Sequence, residues 1–359
     1  MKRYVYLIRH GKPLFKEGKK ICIGSQTDLF LSKEGKEQVR VWKDCFSNID
    51  TIYCSNLARS YQSALEMVSV QQKYQPIVSL QELDMGDFEG KTFQQIQELY
   101  PTLYQQRGKD WSIVPSNGET LEDGVNRLIK TIQFLLLNKS SDLVLVIHDG
   151  LIRALVHKLE NLDPCKDGMP RVDYGTLSVV EIEEKKWNFV AINKKRDSIP
   201  SHQEIEQIFF QCKTPQVVIE HSYEVQRVCL ELYELLKDQC SLDKELLLTS
   251  ALLHDMMRHH GKDHPLLAKE QLYHLGYIQL GSIIQLHHDI KGDALLDEAM
   301  ILYYADKLVQ GTLRVSLQQR FEASLRKCCT QEAIEKHQER YLQALKVEEK
   351  IRNAFIREE

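Results

Sequence analysis

Three short polar clusters in the first half of the chain carry residue types suited to a phosphoryl group. They are Arg9-His10-Gly11, the stretch from Ser55 to Arg59, and His148-Asp149-Gly150. Two arginines and two histidines meeting in one place form an electropositive pocket, and guanidinium forks match phosphate oxygens bidentately. A neutral imidazole attacks phosphorus once one ring nitrogen is fixed by a hydrogen bond. Alone, each residue reads as a loop histidine or a solvated arginine; the joint placement carries the chemistry. A second set lies further on: His221, the doublet His254-Asp255 closing the apolar run Leu246–Leu253, and Asp306 inside Ile301–Leu308. Imidazoles and carboxylates beside apolar helix would be costly if unpaired, and a divalent cation would compensate them. The donors suit Mn, Fe, Co, Ni or Zn and also admit Mg. His264, next to Pro265, and the pair His287-His288 lie in the same part of the chain.

These clusters need elements that bring them together. Tyr4–Ile8, Thr51–Cys54 and Leu143–Ile147 are short β-rich runs, two of them continuously apolar, as in strands buried on both faces. Helical patterns come after each: Ser32–Phe46, Leu57–Ser69 and Leu151–Leu159. This alternation predicts an α/β three-layer sandwich with a mostly parallel sheet. Ligands bind beyond the carboxyl ends of such strands, where all three clusters fall. Val172–Val180 and Trp187–Asn193 are expected as edge strands joined by a charged turn, Glu183–Lys186. The polar stretch around Asn193–Gln203 then reads as a linker. The expected division is 1–195, a linker at 196–210, and 211–359. After the linker the strand signal vanishes. Thr214-Pro215 opens a helix over Gln216–Leu236. Further helices are expected at Asp243–His259, Pro265–Leu275, Ile278–His288, Asp293–Ser316 and Gln331–Arg357, making an all-α second half.

The bulk numbers agree with this division and remove other classes. The chain has 359 residues, enough for two domains, and a formal net charge of −4 without long Lys/Arg blocks, which argues against nucleic-acid binding. No apolar stretch approaches the ~20 residues that span a bilayer. The nine cysteines form no CxxC pair and read as free thiols of a cytoplasmic protein. Of 13 histidines, ten follow residue 200, so the two halves use different chemistry.

Leu7-Ile8-Arg9-His10-Gly11 resembles the signature of the histidine phosphatase (phosphoglycerate mutase-like) superfamily. The resemblance continues through Gly24–Leu31, Tyr53–Ser60, Leu80–Gly90, Asn117–Thr120 and Val146–Arg153, in order, over about residues 1–195. It implies that His10 is the nucleophile that becomes phosphohistidine. Arg9, Arg59 and His148 would hold the phosphoryl group, and Glu82 would be the general acid. Gly11 would allow close backbone approach to phosphate. Pro13 and Lys16 stand where many members have Thr and Asn. The segment after Glu82 lacks the insertion of the glycolytic mutases, so the resemblance implies a phosphatase, with a layout like that of α-ribazole phosphatases. In the second half, His221, His254-Asp255 and Asp306 resemble the H…HD…D motif of the HD superfamily of metal-dependent phosphohydrolases, over about 210–320. His264, His287 and His288 match places where some HD families hold a second metal.

Together these resemblances imply a bifunctional phosphohydrolase. One half would act through phosphohistidine without metal, the other through one or two divalent ions, on a nucleotide or small phosphorylated metabolite. The alternative keeps the phosphatase and makes the HD half a ligand sensor. A third reading, a phosphoprotein-recognition module, fits the intact His10, Arg59, Glu82 and His148 set poorly. Residues 321–359 offer helical periodicity alone, suited to packing on the HD core or on another subunit of a homo-oligomer.

Overall fold

A computed structural model of the chain describes residues 2–184, 186–288, 290, 296–326 and 328–356. Two compact units emerge, one built on Met1–Arg196 and the other on Asp197–Tyr273 with Tyr277–Glu359.

The first unit contains strands β1 (Lys2–Arg9), β2 (Thr51–Ser55), β3 (Lys73–Ile77), β4 (Leu143–Ile147), β5 (Leu177–Glu183) and β6 (Lys186–Lys194). Its helices are α1 (Lys33–Arg40), α2 (Ala58–Met67), α3 (Phe93–Leu99), α4 (Pro101–Lys109), α5 (Leu121–Asn138) and α6 (Asp149–Glu160). The strands form one sheet in the order β3-β2-β4-β1-β5-β6. β1, β2, β3 and β4 pair in parallel, whereas β5 and β6 add antiparallel edges. Every residue of β2 and β4 is buried, as continuous apolar runs require when both faces are covered. Val5 and Leu7 of β1 share a core with Leu128 and Ile132 of α5 and Leu151 and Leu155 of α6. The alternate residue Tyr6 instead meets Phe46, behind α1, at 5.1 Å between ring centroids. Successive strand residues point to opposite faces, so the helices lie on both sides of the sheet.

Two boundaries differ from expectation for local reasons. β5 starts at Leu177, not Val172, because Gly175 turns the chain with φ +71° and its N–H donates to the Arg9 carbonyl at 3.1 Å. The helix opened by Ser32 ends at Arg40 and gives way to turns as far as Asn48.

The second unit is helical: α7 (His202–Gln211), α8 (Gln216–Leu236), α9 (Lys244–Leu253), α10 (His264–His274), α11 (Ile278–Ile284), α12 (Glu298–Lys307), α13 (Leu317–Leu325) and α14 (Gln331–Ile356). α7 occupies much of the segment expected as linker. Ser201 and Glu204 form a capping box there, and Ile205, Ile208 and Phe209 supply a buried stripe. α9 stops at the His254-Asp255 doublet rather than at His259, and a short 3-10 segment broken at Gly261 follows. The expected start of the next long helix at Asp293 lies outside the described residues. Its expected end at Ser316 is replaced by a hairpin, β7 (Val309–Gln310) and β8 (Leu313–Arg314), turning through Gly311 at φ +62°. Val225 and Cys229 of α8, Leu247 of α9, Ile301 of α12 and Ala344 and Val347 of α14 pack into one core. Among the described residues no helix is long and apolar enough to cross a membrane, and all nine cysteines are unbridged.

Candidate functional site

The first site lies at the carboxyl ends of three neighbouring parallel strands. His10 follows β1, Ser55 ends β2 with Arg59 in the first turn of α2, and His148 follows β4 as the N-cap of α6. His10 is almost fully buried, and its Nδ1 lies 2.7 Å from the Gly11 carbonyl oxygen. A carbonyl only accepts, so Nδ1 carries the proton and Nε2 keeps its lone pair. His148 is 5.0 Å away between ring centroids, with Nε2 at 2.7 Å from Ser55 Oγ. Ser55 Oγ already accepts from the Leu57 N–H at 3.2 Å. Its own hydroxyl proton is free to go to His148, which leaves His148 Nδ1–H as a donor without a protein partner.

The arginines complete an anion slot. Arg59, fully buried, donates to the carbonyls of Thr27 at 2.8 Å and Gly24 at 3.0 Å. Arg9 donates to the Val172 carbonyl and lies 3.8 Å over the Tyr174 ring. The Nε atoms of both have no hydrogen-bond partner. Three orphaned donors in the site that holds this imidazole are what a tetrahedral anion would satisfy. Burial, then Arg59 and Arg9, hold His10 well below its ordinary value; burial and Arg59 do the same to His148. Both rings are therefore neutral at pH 7.

Glu82 is also buried beside this slot. It accepts from Gly150 N–H at 2.9 Å, Leu83 N–H at 2.9 Å and Leu151 N–H at 3.2 Å. Burial raises its pKa, and the Gly150 and Leu83 hydrogen bonds oppose that rise only in part. The room for it comes from Gly150, where a Cβ would stand 2.6 Å from Glu82 Oε1. Gly11 has a different close neighbour from the one expected: a Cβ there would meet the Gly35 backbone oxygen at 2.0 Å. Asp149, Ser55 and Tyr174 belong to this site although sequence reasoning gave them no role. Asp149 lies 3.5 Å from Arg9 and 2.8 Å from Arg153. Its place between His148 and Gly150 was a usable signal; Tyr174 offered none.

The second site gathers all seven of the expected histidine and aspartate positions. His221 comes from α8, His254-Asp255 from the end of α9, His264 from the start of α10, His287 and His288 from behind α11, and Asp306 from α12. His254, His264 and His287 are fully buried. Four rings share one device: Nδ1 of His221, His254, His264 and His287 lies 2.7–2.8 Å from the carbonyls of Gly311, Ala251, Gly261 and Ile284. Each ring thereby turns a bare Nε2 inward, the usual arrangement behind a metal-ligating imidazole. The Gly311 carbonyl sits in the β7–β8 turn, which is how that hairpin serves the site.

Asp255 divides its two oxygens. Oδ1 lies 2.8 Å from His264 Nε2 and 3.4 Å from His287 Nε2. Oδ2 lies 3.6 Å from His254 Nε2 and 3.9 Å from His221 Nε2. Asp306 Oδ1 joins the latter group at 3.2 Å from His221 and 3.7 Å from His254. Two ligand groups result, Asp255 with His264, His287 and His288, and Asp255 with His221 and His254. His254 Nε2 and Asp255 Oδ1 are buried without hydrogen-bond partners, so the residues fit a cation. Burial alone would lower His254, but Asp255 and Asp306 outweigh it and raise its pKa. Two cationic side chains escaped sequence reasoning here. Lys307 pairs with Asp306 at 2.7 Å, and Arg258 Nη1 lies 3.2 Å from His288 Nε2.

Comparison with known proteins follows this division. Residues 5–195 match the histidine phosphatase superfamily (branch 1), and residues 218–310 match the HD domain. The fructose-2,6-bisphosphatase of Saccharomyces cerevisiae is 25% identical over 207 residues, 55% of this chain and 43% of that protein. Phosphoglycerate mutase-like protein 4 of Arabidopsis thaliana is 25% identical over 162 residues, 43% of this chain and 70% of that protein. The chain thus spans less than half of the yeast relative. A putative α-ribazole-5'-P phosphatase from Escherichia coli superposes with a TM-score of 0.47 at 24% identity, covering 55% of this chain and 99% of that one. With more than half of its length matched, the chain belongs to the histidine phosphatase superfamily, and it carries an HD domain in its second half.

Proposed function

We propose that the chain is a bifunctional phosphohydrolase acting on nucleotides or small phosphorylated metabolites in a reducing, cytoplasmic setting. The observation that carries the first activity is the neutral His10, with Nδ1 committed to the Gly11 carbonyl, in a site where Arg9 Nε, Arg59 Nε and His148 Nδ1 have no hydrogen-bond partner. Nε2 attacks phosphorus, the ester P–O bond breaks, and Glu82 gives its proton to the leaving oxygen. Water then attacks the phosphohistidine, Glu82 takes a water proton, and inorganic phosphate leaves with His10 restored. Arg9, Arg59 and His148 donate to the phosphoryl oxygens as charge shifts between them.

The second activity rests on the divided Asp255 carboxylate between its two histidine groups. His221, His254, Asp306 and Asp255 Oδ2 would hold one divalent ion; His264, His287, His288 and Asp255 Oδ1 would hold another. Such ions supply Lewis acidity toward a phosphoester. Lys307 and the four Nδ1–carbonyl bonds fix the donors in place. A full ligand set favours this reading over a purely sensory HD domain.

Two variants test the division. Hydrolysis that survives EDTA, is blocked by vanadate and is lost in His10→Ala belongs to the first unit. Metal-dependent hydrolysis that persists in His10→Ala and is lost in the His254→Ala/Asp255→Ala double variant belongs to the second. Full phosphatase activity in His10→Ala overturns the first assignment.

A further inference from the structure

The slot around His10 belongs to a cavity of about 440 Å³. Its lining includes the apolar side chains Phe15, Ile23, Phe93, Trp111 and Met169, beside Lys20, Arg107 and Arg153. Two of these stand at the rim in contact with water, Phe93 at 52% and Met169 at 40% exposure. Large apolar side chains left wet at the mouth of a cavity mark a surface that a ligand covers.

Part of the polar lining is committed to the protein itself. Trp111 Nε1 donates to the Asp167 carbonyl at 3.1 Å. Arg153 pairs with Asp149 at 2.8 Å, and Arg107 donates to the Ile113 carbonyl. Lys20 lies on the exposed rim, where it can meet a distal charge without reading the body of a ligand. A polyol placed against Phe15, Ile23, Phe93 and Met169 would give up hydrogen bonds to water and find no replacement on those side chains. An aromatic or bulky apolar group would lose nothing and bury the rim side chains.

We propose that the preferred substrate of the His10 site is a phosphomonoester whose leaving alcohol carries an aromatic or bulky apolar body within reach of Phe93 and Trp111. The inference rests on the phosphatase reading of that site and selects among its substrates. In group balance the reaction is the one already given, with the alcohol leaving as ROH after Glu82 supplies its proton.

The test compares 2-phenylethyl phosphate with ethyl phosphate, whose leaving alcohols are both primary alkanols, on the full chain in EDTA. The expected result is a kcat/KM larger by about tenfold or more for the phenyl ester, since one buried methylene alone can be worth that much. Phe93→Ser is expected to narrow this ratio, whereas a folding defect would lower both rates together. Equal values, or a preference for glycerol phosphate or fructose 2,6-bisphosphate, overturn the proposal. Hydrolysis of none of these esters instead overturns the phosphatase reading itself.

Discussion

The Nε2 atoms of His264 and His287 stand 3.3 Å apart, while both rings have already spent Nδ1 on backbone carbonyls. Two imidazole lone pairs and the Asp255 carboxylate then lie together in a buried place, an arrangement that a bound cation stabilises. Calorimetric titration of the chelator-stripped chain with Mn²⁺ is expected to show two ions per chain. His287→Ala is expected to retain one, because the His221, His254 and Asp306 group is untouched. Saturation should also raise thermal stability, by about 2.7 kcal/mol for each site whose free ion concentration is near 100 Kd.

Arg258 bears on the same group. Its Nη1 lies 3.2 Å from His288 Nε2, 3.4 Å from His264 Nε2 and 3.6 Å from Asp255 Oδ1. The guanidinium is an internal cation leaning on donors that an ion would use, and about half of that side chain is exposed, so it can leave. Arg258→Ala removes both the competition and a like charge. The second ion in the titration is then expected to bind more tightly, by about tenfold (~1.4 kcal/mol), with the first ion unaffected.

The sequence disclosed residues whose chemistry repeats a motif and hid those fixed by tertiary geometry. β2 and β4 were legible because strands buried on both faces must be continuously apolar. α8 was legible because Pro215 marks its start. The site histidines were legible through their place behind strands and in apolar frames. Arg258 and Tyr174 were not, because nothing in their own neighbourhoods differs from an ordinary exposed arginine or a loop tyrosine. The β7–β8 hairpin was hidden for a similar reason: four strand residues cannot display a period, and only Gly311 marked the turn. α7 was missed because its apolar stripe begins at Ile205, behind a polar capping box.

The opposed shifts at His10 and Glu82 set a pH profile for the phosphatase. His10 must be neutral to attack, and burial with Arg59 and Arg9 depresses its pKa, so the acid limb lies below the usual imidazole range. Glu82 must be protonated to give up its proton, and burial raises its pKa, so the alkaline limb lies above the usual carboxylate range. Activity is therefore expected to fall as pH rises through the raised Glu82 titration, in a kcat/KM profile with EDTA present. Glu82→Gln keeps the shape and loses the proton. Its first step is expected to slow by about 10²–10⁴ for an alkyl phosphate, and by less for 4-nitrophenyl phosphate, whose leaving group needs no proton.

Two glycines separate stability from chemistry. At Gly35 a Cβ would stand 2.2 Å from the Lys12 carbonyl oxygen, which itself accepts from Ser32 N and Ser32 Oγ at 2.9 Å. Backbone meets backbone there, so relief requires moving the loop that carries Gly11 and the carbonyl holding His10. Gly35→Ala is expected to cost about 1–3 kcal/mol of stability and to lower kcat together with it. At Gly150 the obstacle is the end of a side chain, Glu82 Oε1 at 2.6 Å, and the residue lies in the first turn of α6. Alanine favours that helix, by up to about 1 kcal/mol in a helix interior, while pushing the Glu82 carboxyl away from the leaving oxygen. Gly150→Ala is therefore expected to lose kcat while losing less stability than Gly35→Ala, since a side-chain end yields more readily than backbone. Thermal melts and initial rates on both variants read the two effects apart. A Gly150→Ala enzyme with full activity would show that Glu82 does not transfer the proton from where it stands.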